Sequence, residues 1–147
     1  MEKIVLDTNF LLSVFELKID IFEEIFNCMD CKYELFVVKQ TIKELEKLIN
    51  KTGFSKKQRA AKFALSLLNS KIEAKKIVVL EVPGDNVDDI LAGLDGYIIA
   101  TNDKELKKRC NKVITIKQKK HVVIENVLWI ESPRTYQSGS NAIRRGY

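Results

Sequence analysis

The sequence predicts a three-layer α/β/α sandwich around a mostly parallel, five-stranded sheet. Three observations carry that prediction. Short apolar runs, too brief for buried helices, alternate along the chain with stretches of helical periodicity. Most of those helical stretches open on a residue that caps helix N-termini, Ser, Thr, Asp or Asn. And one run, Tyr97-Ile98-Ile99-Ala100-Thr101, carries no charge at all, as befits a central strand buried on both faces.

In chain order, Ile4-Val5-Leu6 is the first strand, ending abruptly on Asp7, with a short helix over residues 8–15 just beyond. Asp20-Ile21-Phe22-Glu23 reads as a capping box, with Ile25, Phe26 and Met29 at helical spacing behind it. Residues 34–38 form a second strand, and Thr41-Ile42-Lys43-Glu44 a second capping box opening a helix through Ile49. Ser55 caps a further helix whose core-facing stripe is Ala60, Phe63, Ala64, Leu67 and Leu68. The third strand covers residues 77–82, followed by the turn Pro83-Gly84-Asp85-Asn86 and a helix over residues 87–94. The uncharged fourth strand leads into a helix from Asn102-Asp103 to about Cys110. A fifth strand covers residues 113–116, and residues 121–130 suit an added edge strand. The helices at residues 20–29 and 55–72 exceed plain alternation and are expected to flank the sheet. We expect the domain to span residues 1–130, with residues 131–147 a polar tail.

A chain of 147 residues with 46% hydrophobic and 31% charged content suits one globular domain rather than a disordered segment. No apolar run is long enough to cross a membrane, and Glu2 and Asp7 leave no room for a signal-peptide core. A cytoplasmic protein without a membrane partner is the expectation. The net charge of +5 is unevenly spread. Residues 51–76 and residues 104–120 each carry eight Lys or Arg and one acid, whereas residues 77–103 carry six acids and no base. Basic blocks attract phosphate backbones; an acid cluster repels them unless a metal ion intervenes. Lys56, Lys57, Arg59 and Lys62 in the first block, and Lys104, Lys107, Lys108 and Arg109 in the second, are the candidate RNA contacts. Either block alone reads equally as a solvated helix face.

The cysteines are Cys28, Cys31 and Cys110. Cys28-Met29-Asp30-Cys31 has metal-ligand spacing, but no second such pair exists and His121 is the lone histidine, so no zinc is expected.

The acids are better placed. Asp7 follows the first strand, Glu44 lies in the first turn after the second, Asp88 and Asp89 in the first turn after the third, and Asp103 follows the fourth. Capping accounts for each singly: Asp89 is placed to close a capping box on Asn86, and Asp103 can cap its own helix. In a parallel sheet, however, all four junctions lie on one edge, where open α/β sheets bind ligands. Converging carboxylates repel, and a hard cation such as Mg²⁺ or Mn²⁺ would offset that cost. Metal, acids and basic flanks together suggest hydrolysis of a phosphodiester by metal-activated water.

Leu6-Asp7-Thr8-Asn9-Phe10-Leu11-Leu12, the Glu44 helix, Asp88-Asp89-Ile90-Leu91 and Tyr97-Ile98-Ile99-Ala100-Thr101-Asn102-Asp103-Lys104-Glu105-Leu106 together resemble the PIN-domain family of nucleases. The resemblance covers residues 1 to about 125 in order and spacing. It implies a parallel sheet with an acidic site at its carboxyl edge and Mg²⁺- or Mn²⁺-dependent cleavage of RNA. By position, Asp7, Glu44, Asp88 and Asp103 match the metal-site acids. Asn9, Thr101 and Asn102 are polar supports, and Asp89 is a fifth acid. The Asp-Asp pair and the run from Ala100 to Arg109 resemble rRNA-processing members more than VapC toxins, although the C-terminal zinc module of some of those members is missing. An antitoxin, a ribosome-assembly factor or a second copy of the chain are all compatible partners. Two rivals remain. A haloacid-dehalogenase-like phosphatase needs an Asp where Asn9 stands, and no phosphate-binding Gly-Lys-Ser/Thr loop is present. A non-catalytic RNA- or protein-binding module could keep the fold, but would have no use for four acids.

Overall fold

The computed structural model describes residues 1–126 apart from Thr52, Lys119 and Lys120. Twelve elements alternate: β1 (Glu2–Leu6), α1 (Thr8–Glu16), α2 (Ile21–Cys28), β2 (Tyr33–Val38), α3 (Lys39–Ile49), α4 (Lys56–Glu73), β3 (Ile77–Leu80), α5 (Val87–Ala92), β4 (Ile98–Ala100), α6 (Lys104–Lys108), β5 (Lys112–Lys117) and β6 (His121–Asn126). They build one six-stranded sheet in the order β3-β2-β1-β4-β5-β6. The first five strands run parallel, and β6 adds antiparallel to β5. The expected five-stranded sheet therefore gains its edge strand, over residues 121–126. Residues 127–130 of that expected strand, and the expected tail over 131–147, lie outside the described residues.

Strand side chains alternate between two cores, as a pleated sheet covered on both faces requires. Ile4, Leu6, Val37, Ile98, Ala100 and Ile114 face α1 to α4. Val5, Phe36, Val38, Ile99 and Val113 face α5 and α6. Strand β1 is wholly enclosed from Ile4 onward, which fixes its register between β2 and β4. Because the strands are parallel, the carboxyl ends of β1 to β5 share one edge, and β1, β2 and β4 each hand the chain almost directly to a helix there.

Two expectations change. Helix α3 begins at Lys39 with Val38 as its cap and no side-chain cap bond, ahead of the expected box at Thr41. The chain leaves β2 in an extended conformation and turns straight into the helix, so Thr41 is already inside it, wholly buried, and Glu44 falls in the second turn rather than the first. On α4 the buried stripe is Ala60, Ala61, Ala64 and Leu68. Phe63 lies at its rim, 47% exposed, its ring 5.7 Å from that of Phe15. Small residues let α4 approach α1 closely, and the bulkier Phe63 is displaced to the border of that contact.

Candidate active site

Strand β1 carries Asp7 to the carboxyl edge, where its N–H still donates to the Ala100 carbonyl of β4 at 2.9 Å. Its side chain then caps α1, with Oδ1 accepting from the Thr8 N–H at 2.8 Å. Oδ2 accepts from the Thr101 hydroxyl at 2.7 Å. Asp7 is only 3% exposed. Its carboxyl is raised to about 6, chiefly by burial, against the bonds from Thr101 and Thr8 and with the charges of Asp88 and Glu44 adding.

The other acids gather around it. Glu44 reaches from α3 and accepts the Thr8 hydroxyl proton, tying α3 to the start of α1. Asp88, in the first turn of α5, has its carboxyl raised by desolvation and then by Asp103, with Arg109 opposing and Asp89 adding. Asp103 caps α6, its Oδ1 accepting from Glu105 N–H at 2.8 Å and Leu106 N–H at 3.3 Å. The Asp103 N–H in turn donates to Thr101 Oγ1 at 3.1 Å, so one buried hydroxyl bridges Asp7 and Asp103. Of the four acids expected to meet, Asp7 thus feels the charges of Asp88 and Glu44, and Asp88 that of Asp103.

Asp89 points elsewhere. Its N–H does take the Asn86 cap at 2.9 Å, but its carboxylate pairs with Arg109 at 2.8 Å instead of closing a capping box. An exposed guanidinium is the stronger partner for a carboxylate on the outer face of α5. The turn feeding α5 needs Gly84, at φ +122°, where a Cβ would stand 3.0 Å from the Ile90 side chain.

The polar supports divide. Thr101 is fully buried between the acids. Asn102 is a clamp: Nδ2 donates to Ser13 Oγ at 3.0 Å, while Oδ1 accepts from the Ile116 N–H at 3.1 Å and Thr115 Oγ1 at 3.4 Å, joining α1 to β5. Asn9 is exposed, and its carbonyl accepts the Ser13 hydroxyl at 3.0 Å. Lys56, Lys57, Arg59 and Lys62 are exposed on the first turns of α4, with Lys57 3.5 Å from Glu16. In the second basic block, Lys104 is exposed, Lys107 turns to Glu125 at 3.8 Å, Lys108 pairs with Glu105 at 3.7 Å and Arg109 with Asp89.

Sequence reasoning missed three contributors. Ser13 and Thr115 complete the Asn102 clamp. Gln40 donates Nε2 to the carbonyls of Val82 and Gly84, each at 2.8 Å, fixing the loop that delivers Asp88. Ser13 interrupts the apolar run from Phe10 to Phe15, a signal that could have been read; nothing in the sequence marks Gln40.

The donor set fits a hard divalent cation: the converging groups are carboxylates, hydroxyls and one amide. The Cys110 thiol behind α6 is held up by burial, against the pull of Arg109, and by the charges of Asp7 and Asp88, so it stays protonated rather than ligating. Among the described residues no three His, Cys, Asp or Glu side chains close into a ready-made cluster. A cation that keeps several waters suits such an open arrangement.

The comparisons agree with this architecture. A family model described as "PIN like domain" matches residues 4–119. "Ribonuclease VapC4" of Methanocaldococcus jannaschii is 33% identical across 84% of this chain and 97% of its own. "Ribonuclease VapC9" of Archaeoglobus fulgidus is 34% identical across 82% and 87%. The "rRNA-processing protein fcf1" of Schizosaccharomyces pombe is 28% identical across 75% of this chain and 54% of its own. Of these three, the VapC ribonucleases share more identity, the reverse of the leaning drawn from the Asp88-Asp89 pair. In three dimensions the chain is similar to the PIN domain endonuclease Utp24, with a TM-score of 0.66, 24% identity, and coverage of 84% and 91%. The chain belongs to the PIN-like domain family of nucleases.

Proposed function

We propose that the protein is a Mg²⁺- or Mn²⁺-dependent endoribonuclease whose site is the acidic carboxyl edge of the sheet. The observation that carries the reading is Asp7, a carboxylate 3% exposed and raised to about 6, chiefly by burial, with Asp88 and Glu44 adding. A structural cap has no need of such an environment; a site awaiting a cation does. RNA as substrate draws support from relatives named ribonucleases and from one named for rRNA processing.

Asp7, Asp88 and Asp103 are the residues that would hold the cation, with Glu44 beside them. Once bound, it supplies a lowered pKa for the attacking water and neutralises charge on the phosphate. The protein's own part is positioning. Thr101 fixes Asp7 and Asp103 relative to each other, Thr8 fixes Glu44, and Asn102 locks α1 against β5 so that these groups keep their spacing. Glu44, exposed and anchored by the Thr8 hydroxyl, would take or give a proton at the scissile phosphate. Cleavage of unstructured RNA titrated with Mg²⁺ or Mn²⁺ tests the reading. Activity should appear with metal, vanish with chelator and vanish in Asp103→Asn. Metal-independent cleavage, or none with any RNA, would refute it.

A further inference from the structure

We infer that Phe54, just ahead of α4, is a separate contact for the nucleic-acid substrate, a stacking platform for one unpaired base. The inference rests on the ribonuclease reading and adds a residue that the acid site itself does not use. Phe54 is 96% exposed. A lone exposed apolar residue needs no explanation by itself; the way this one is held and surrounded does.

Described residues on both sides of the ring are tied to α4. Gln58 reaches back from α4 to donate Nε2 to the carbonyls of Ile49 at 2.6 Å and Lys51 at 2.7 Å. Ser55 caps α4 by accepting the Gln58 N–H at 3.0 Å. Gly53 adopts φ +94° with no atom within 4 Å of a Cβ position, so the turn itself, and not crowding, calls for glycine there. The ring is presented outward just ahead of the capped start of α4.

Its neighbours in the chain are cationic. Lys51, Lys56, Lys57, Arg59 and Lys62 flank it in the sequence and are exposed, and among the described residues only Lys57 of these has a carboxylate within ion-pair distance, Glu16 at 3.5 Å. An apolar protein partner would ask for a patch of apolar neighbours, whereas Phe54 stands between Gly53 and Ser55 amid lysines. One open aromatic face among free cations is how proteins hold single strands, with cations on the phosphates and the ring under a base. Helix α3, which carries Glu44, ends at Ile49, roughly 8 Å along its axis from Glu44 and five residues before Phe54.

The test is binding of the full chain to unstructured RNA in chelator, where cleavage cannot intrude, with 2-aminopurine walked through the oligonucleotide. The parent should quench the probe at one register. Phe54→Ala should lose that quench and bind single strands on the order of tenfold more weakly, with an unchanged melting temperature, and Phe54→Trp should restore both. An abasic site at that register should weaken the parent but not Phe54→Ala. Affinity for blunt duplex RNA, whose bases are not free, should change by less than about twofold. Equal single-strand affinity in parent and Phe54→Ala overturns the inference. So does an equal loss on duplex, or a loss of self-association in sedimentation with RNA affinity intact. Metal-dependent cleavage by the parent, measured in parallel, separates the two claims: unaltered binding by Phe54→Ala in a cleaving enzyme refutes only the platform.

Discussion

The two edges of the sheet meet opposite ends of different helices. At the carboxyl edge α1, α5 and α6 begin, and acids cluster there. At the other edge α2 and α4 end, beside a hollow of about 1020 Å³ floored by Phe22, Phe26, Met29 and Val78 and bordered by Lys71, Lys75 and Lys76. Acids at helix starts and lysines at helix ends are what helix dipoles favour, so charge segregation alone carries no functional message. Nor does volume: the roomy hollow holds no activated group. The half-buried Cys28 thiol at the end of α2 is pushed up to about 11, first by burial and then by Glu24, which leaves it protonated and inert. Two caps make the difference plain. Asp20 caps α2 from an exposed position, accepting the Glu23 N–H at 3.1 Å. Asp7 does the same job for α1 while almost wholly enclosed among other acids. Capping explains the first and leaves the second unexplained. A carboxylate kept where its charge is penalised is the better guide to chemistry.

The largest effect should follow from relieving that penalty. Asp7→Asn should lower metal-dependent cleavage by more than about a hundredfold, on the scale of losing a ligand or catalytic carboxylate. Phe26→Ser in the opposite hollow should leave the rate within about twofold, as a substitution remote from the chemistry and 69% exposed should. Stability should move the other way. With a folded pKa of about 6 against an ordinary 3.8, native Asp7 binds its proton more tightly than unfolded Asp7. That contribution to stability is complete below pH ~4 and lost as pH rises through about 6, leaving a penalty of roughly 3 kcal/mol at most near neutrality. In metal-free buffer Asp7→Asn should therefore gain on the parent between pH 4 and pH 7, and saturating Mn²⁺ should close the gap by stabilising the parent alone. Denaturation curves at both pH values measure it; a gap independent of pH would mean that Asp7 is an ordinary cap and that the contrast between the edges is empty.

Much of this was legible in the residues. Apolar runs ending on an acid or a cap gave the strands of the parallel sheet, because strand termination and helix capping are local events written in adjacent side chains. The uncharged run around Ile99 marked a central strand for the same reason. What stayed hidden depended on distant partners. The start of α3 has no capping residue to announce it, since Val38 hands the chain over without a side-chain bond. The burial of Phe63 turned on which face of α4 its neighbours prefer, and a stripe of alanines outranked the larger ring. The role of Asn102 needs Ser13 and Ile116 beside it, which only the folded topology supplies. Converging acids could be inferred from junctions on one edge; the single hydroxyl of Thr101 that couples two of them could not.

That hydroxyl gives the next effect in size. Thr101→Val keeps the shape but removes the donor to Asp7 Oδ2 and the acceptor for the Asp103 N–H. The Asp7 carboxyl, which Thr101 holds down, should rise further, and both acids should lose their fixed spacing. We expect cleavage to fall about 10- to 100-fold, the usual cost of removing a group that orients a metal ligand. The acidic limb of the pH–rate profile should shift to higher pH, a change that a merely loosened fold would not produce. A lower rate with an unshifted profile would reduce Thr101 to a packing residue.

The smallest effect is expected at Asp89, although it neighbours Asp88 and carries the same charge. Asp88 lies in the mutual field of Asp7 and Asp103, and Asp88→Asn should resemble Asp7→Asn in its loss of cleavage. Asp89 sends its carboxylate out to Arg109 across an exposed pair, with side chains 68% and 47% accessible. Surface pairs of that kind are worth about 0–1 kcal/mol, and salt screens them. The Asn86 cap uses the backbone N–H of residue 89, so Asp89→Asn leaves that bond intact. Freed from its partner, Arg109 would still be close enough to lower the Asp88 carboxyl, and could do so more strongly. Asp89→Asn should thus keep its stability within about 1 kcal/mol and its cleavage rate within a few-fold of the parent. Parallel rates and denaturation curves for the two variants decide it. If Asp89→Asn were the damaging change, the inward-facing position at the start of α5 would be the third residue and not the second, and the acid edge would have to be redrawn around it.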